Sequence, residues 1–114
     1  MVDDHTGEIL AVAAGLIARE DHQLTLRFRD GEVHIRLPTT RRIARSLGVP
    51  HYYVLPAIAG MEGEGILTRE PRIGVYTTAR GSGMLFSILE ERYPAGLVSM
   101  TGPDLLGSLR RAMS

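Results

Sequence analysis

The residues best equipped for chemistry in this chain are arginines. Lys+Arg and Asp+Glu number 13 each, all the cations are Arg, and the sequence holds no Lys and no Cys. Without an ε-amine there is no Schiff-base nucleophile, no pyridoxal-phosphate attachment point and no phosphate-loop lysine. Without a thiol there is no cysteine nucleophile, disulfide framework or zinc–thiolate site. Guanidinium groups hold phosphates well, and the tightest cluster, Arg41, Arg42 and Arg45, follows directly on the hydroxyls of Thr39 and Thr40. Hydroxyls and free amides at a helix start reinforce a phosphate contact. Arg69, Arg72 and Arg80 form a second group around a Pro-containing turn. Between the two groups stand His51, Tyr52 and Tyr53, candidates for contact with phosphate or, through the tyrosine rings, with thymine methyls.

Other arrangements carry less. Thr77 to Gly83 set a Gly-rich turn between a strand and a helix, but a glycine pair without lysine or an acidic partner reads as a flexible exit rather than a phosphate cradle. Glu90 and Glu91 are adjacent, hence about 100° apart on a helix, and cannot act as a catalytic pair on one substrate. His5, His22 and His34 are too scattered to propose as metal ligands. No Gly-x-Ser-x-Gly is present. The expectation is a protein without catalysis, cofactor or metal.

The elements that must position these residues follow from periodicity. A chain of 114 residues is one domain's length and buries roughly two thirds of its unfolded surface. At 44% hydrophobic and 23% charged it is composed like a folded protein rather than a disordered tail. The longest apolar run, 9–18, is too short to cross a bilayer, and Asp3 and Asp4 precede it where a secretory signal would be positive. A soluble, cytoplasmic protein is expected. Ile9, Val12, Ala13, Leu16 and Ile17 predict a helix over 8–20, with a buried strand as the alternative because the run is almost continuously apolar. Two alternating stretches around Asp30-Gly31 predict a β-hairpin with a type I′ turn, oily on one face and carrying Arg27, Arg29, His34 and Arg36 on the other.

Pro38 ends the hairpin and Thr39 caps a helix over 40–47 with Ile43 and Leu47 inward. After Gly48 a second helix places Val54, Ala57, Ile58 and Met61 on one side, with Gly65 closing it in the left-handed conformation. Pro56 falls within it and predicts a kink or a late start. Strands follow at 66–69 and 74–78, then a helix at 83–93, a short apolar piece at Leu97-Val98 and a final helix from Pro103. The order helix, turn, helix, hairpin is that of a winged helix-turn-helix. The whole is read as one α+β domain: an N-terminal helix and β-hairpin (1–38), a winged helix-turn-helix core (39–80) and a C-terminal helical tail (81–114).

Residues 37–78 resemble the DNA-binding domain of the GntR family of bacterial transcription regulators, without a gap. The resemblance rests on Leu37-Pro38-Thr39, Ile43-Ala44, Leu47-Gly48-Val49, then Val54, Ala57-Ile58 and Met61. It continues through Glu64-Gly65-Ile66-Leu67 to Arg69, Pro71, Gly74 and Tyr76. It implies a winged helix that binds double-stranded DNA, and Arg41 matches an arginine that commonly contacts DNA in that family. The N-terminal hairpin lies outside the family pattern and is a candidate additional dimer surface. The C-terminal segment is similar in size to the dimerisation tail of the family's shortest subgroup, implying a homodimer suited to a palindromic operator.

The charge map is consistent with such a partner. Residues 1–38 hold four Arg and seven acids, net −3; residues 39–80 hold six Arg and three acids, net +3; the remainder is neutral. The outward face of the second helix, with Tyr52, Leu55, Pro56 and Ala59, has no charge. Two readings follow: DNA binding through Thr39, Thr40, Arg41, Arg42, Arg45, His51, Tyr52, Tyr53, Arg69 and Arg72, or a protein-interaction module that docks through the uncharged face.

Overall fold

The computed structural model describes residues 4–113; Asp3, one of the two acids weighed above as evidence on a secretory signal, lies outside them. Helix α1 (Asp4–Gly15) continues into a π-helical segment, Leu16–Asp21. Strands β1 (Leu26–Arg29) and β2 (Glu32–Ile35) precede α2 (Thr40–Leu47) and α3 (His51–Gly63). Strands β3 (Leu67–Glu70) and β4 (Gly74–Thr77) lead to α4 (Ala79–Arg92) and α5 (Pro94–Met113), the last broken at Gly102 with φ 78 and ψ 162. Among the described residues this is an α+β arrangement of five helices and two antiparallel hairpins. No helix among them is long and apolar enough to cross a membrane.

The first apolar run is helical over a longer span than 8–20. Every residue from Ala13 to Ala18 is buried, because α1 packs on α2, α3 and α4 while the π segment meets α5. A helix apolar all round is one enclosed on all sides, which explains why its pattern also resembled a buried strand. The hairpin forms as expected. Phe28 pairs with Val33, and Asp30 (φ 54) and Gly31 (φ 77) supply the positive φ that a type I′ turn requires. Its oily face is only partly covered: Val33 and Ile35 are buried on α4, whereas Phe28 is 60% exposed.

Thr39 caps α2 by accepting from the Arg42 amide at 3.2 Å. Both α2 and α3 end in paired backbone bonds that close around a left-handed glycine. At Gly48 these are Gly48 N–H to Arg45 and Val49 N–H to Ala44; at Gly65 they are Gly65 N–H to Glu62 and Ile66 N–H to Met61. Of the two alternatives expected at Pro56, the late start does not occur: α3 begins at His51 and continues as helix through Pro56 to Gly63. The bond that proline removes would have used the carbonyl of Tyr52, a residue 74% exposed, so water can satisfy it.

The strands of the second hairpin sit within a residue of expectation, but the C-terminal half differs more. Helix α4 starts at Ala79 rather than 83, capped by Thr78, whose hydroxyl accepts from the Gly81 amide at 3.1 Å. Gly81 and Gly83 are therefore helical, and neither a flexible exit nor a cradle forms. A Cβ on Gly81 would lie 2.0 Å from the Ile66 carbonyl oxygen, so this glycine exists to let α4 lie against the chain entering β3. The isolated piece at Leu97-Val98 is instead the first leg of α5, which Pro94 opens; Pro103 opens the second leg as expected.

Two features bind the halves together. Arg36 bridges antiparallel to Tyr76, and the Leu37 amide donates to the Val75 carbonyl at 2.8 Å, so the chain leading from β2 into α2 runs beside β4. Beneath it, the Ile35 amide donates to the Thr77 hydroxyl at 2.8 Å, Thr77 donates to Ser82, and Ser82 donates to the Val33 carbonyl. The direction of this chain is fixed, since an amide only donates and a carbonyl only accepts. Thr77 and Ser82 are fully buried.

Candidate nucleic-acid interface

The positions singled out by sequence gather around α2, α3 and the β3–β4 turn, though not on a single patch. Thr39, Thr40, Arg69 and Arg72 line one open groove together with Arg36, Leu55 and Ile73. His51 joins it indirectly: its Nε2 and the Thr40 hydroxyl share a hydrogen bond at 2.6 Å, tying the first turns of α2 and α3 together. The amide-rich ends of both helices thus meet beside the groove, a favourable field for anions. Tyr52 and Tyr53 are 74% and 59% exposed and border a separate hollow with His5, Pro56 and Ala57.

The arginines divide by what already holds them. Arg42 points to the π segment, with Nη2 2.9 Å from Asp21 and 3.9 Å from Glu20. Arg69 donates through Nε and Nη2 to Glu62 at 3.1 and 3.0 Å, and these hydrogen bonds hold the Glu62 carboxyl below the usual carboxylate range. Both cations therefore face competition for any phosphate. Arg45 is exposed beside Arg42 in a recess with Leu16, Glu20 and Ser46, away from the main groove. Arg41 is exposed, and Arg72 stands at the hairpin tip with φ 68. Pro71 before it and the bond from the Ile73 amide to the Glu70 carbonyl at 3.0 Å match a type II turn.

Arg36 is the member that sequence reasoning missed. It was legible only as one of several polar-face residues of the first hairpin, and nothing in the spacing linked it to a turn 37 residues away. Its Nη2 donates to the Ile73 carbonyl at 2.7 Å, which fixes its guanidinium against the β3–β4 turn. Nearby, Arg27 lies 4.0 Å from the centroid of the Tyr76 ring and 2.6 Å from Glu70. The hydrogen bond from Arg27 lowers the Glu70 pKa and joins the two hairpins. Counting pairs, Glu62 and Glu70 are each held by an arginine, while Arg36, Arg41, Arg45 and Arg72 have no carboxylate partner among the described residues.

The described residues contain no cluster of three or more His, Asp or Glu able to hold a metal ion. No protein-family model, no curated protein and no solved structure matches the chain.

Proposed function

We propose that the chain is a winged-helix regulator of transcription that binds double-stranded DNA in a sequence-specific manner, as a homodimer and without catalysis. The observation that carries this reading is the uneven neutralisation of charge. Glu70 and Glu62 are engaged by Arg27 and Arg69, while Arg36, Arg41, Arg45 and Arg72 have no carboxylate partner among the described residues. The element order supports it: α2, the Gly48 turn, α3 and the β3–β4 hairpin, with the segment after β2 running beside β4, are compatible with a winged helix-turn-helix. The tail of α4 and α5 contributes Leu85, Leu89, Leu97, Leu106 and Leu109 to the monomer's own core, so the exposed Phe28 of the first hairpin is the better candidate for a self-association contact.

Anisotropy of a labelled duplex, followed against salt, tests the reading. The expected result is a linear fall of log K with log salt, with a slope reduced by about one in Arg41→Ala; sedimentation of the same samples reports the dimer. Absence of duplex binding even at low salt overturns it. That outcome would favour the protein-interaction reading, which rests on the exposure of Tyr52, Tyr53 and Leu55 along α3.

A further inference from the structure

The exposed face of α3 has an unusual chemistry for a helix meant to read bases. Tyr52, Leu55, Pro56 and Ala59 follow one another at helical spacing and are all exposed. This ridge has no guanidinium, amide or carboxylate. The usual readers of adenine, Asn and Gln, are almost missing from the whole protein: the sequence has no Asn, and Gln23, its one Gln, lies between the π segment and β1. The arginines that suit guanine lie off the ridge, Arg41 on α2 and Arg72 in the β3–β4 turn. The base feature that an apolar surface can distinguish in the major groove is the C5 methyl of thymine.

Resting on the DNA-binding reading above, we propose that α3 recognises DNA through thymine methyl groups rather than through hydrogen bonds to base edges. Charge complementarity selects a duplex as the occupant of this apolar face: Leu55 shares its groove with Arg36 and Arg72, and Arg41 stands at the start of α2. Cations along one side of an apolar ridge suit a phosphate strand running beside a groove floor. From Tyr52 to Ala59 the ridge rises about 10 Å, or roughly three base-pair steps at 3.4 Å each, so two or three methyls fall within reach. Each methyl buried is worth about fourfold in affinity.

The test begins with duplexes that the 114-residue chain selects from a random pool, each resynthesised with deoxyuridine in place of thymidine, which removes the methyl and leaves pairing and phosphates in place. The expected result is a loss of about tenfold or more in affinity with the salt slope unchanged. Leu55→Ala should shrink the thymine-to-uracil ratio and Leu55→Met restore it, whereas Arg41→Ala weakens both duplexes equally. Salt-dependent binding with equal affinity for the two duplexes, or selection without thymine enrichment, overturns the inference and leaves the DNA-binding reading standing. No binding to either duplex at low salt overturns both.

Discussion

Arg72 holds a backbone conformation that side chains with a Cβ seldom adopt, with φ 68 at the third position of a type II turn where glycine is the natural occupant. A left-handed conformation costs a residue with a Cβ roughly 1–2 kcal/mol. The molecule therefore keeps a cation where its backbone would prefer glycine, the pattern expected when a side chain is retained for what it touches. Arg72→Gly should raise stability by up to about 1 kcal/mol in urea unfolding while weakening duplex binding. A variant that is both less stable and unchanged in binding would remove Arg72 from the interface. Gly81 is the converse case. Its sequence neighbours suggested mobility, yet the residue is a fixed point, because only the folded chain brings the Ile66 carbonyl to 2.0 Å from the space a Cβ would fill.

At the scale of elements, α3 shows how context overrides a local rule. Proline inside an exposed helix costs about 3 kcal/mol relative to alanine, and from sequence alone that cost argues for a break. The helix persists because Val54, Ile58 and Met61 are buried on its other side while the carbonyl left unpaired belongs to exposed Tyr52. Pro56→Ala should accordingly stabilise the protein by about 1–3 kcal/mol, seen as a higher urea midpoint; a lower midpoint would mean that the ring contributes contacts here. The local elements were legible in sequence because their signals are local: the Asp30-Gly31 turn, the Thr39 cap, the glycines after α2 and α3. The start of α4 was not, since its cap depends on Thr78 reaching Gly81 in a segment whose glycines suggested a loop. Of the candidate site, the residues on α2 and the β3–β4 turn were legible as a charge cluster. Which of them were already paired was not, because Asp21 and Arg42, or Arg36 and Ile73, meet only through the tertiary fold.

The molecule as a whole has zero formal charge, and its ion pairs turn that balance into a pattern. Arg42 and Arg27 lie in the network that fastens the N-terminal elements to α2 and β3, while Arg36, Arg41, Arg45 and Arg72 have no carboxylate attached among the described residues. That distinction belongs to the fold and leaves no trace in a residue count. The buried hydrogen-bond chain from Ile35 through Thr77 and Ser82 to Val33 acts at this same scale. A two-stranded ribbon is marginal when it stands alone, and β1–β2 would be expected to fray independently of the helices. Here the Ile35 amide finds its acceptor on β4, so its proton can be lost to solvent only when the hairpin, β4 and the first turn of α4 separate together. Deuterium exchange at Ile35 should thus be as slow as at the most protected amides of α1, whereas rapid exchange would show the hairpin opening alone. Slow exchange there would make the first hairpin part of the same cooperative unit as the helices, so that a ligand gripping the α2–α3 surface would slow deuterium uptake in that hairpin as well.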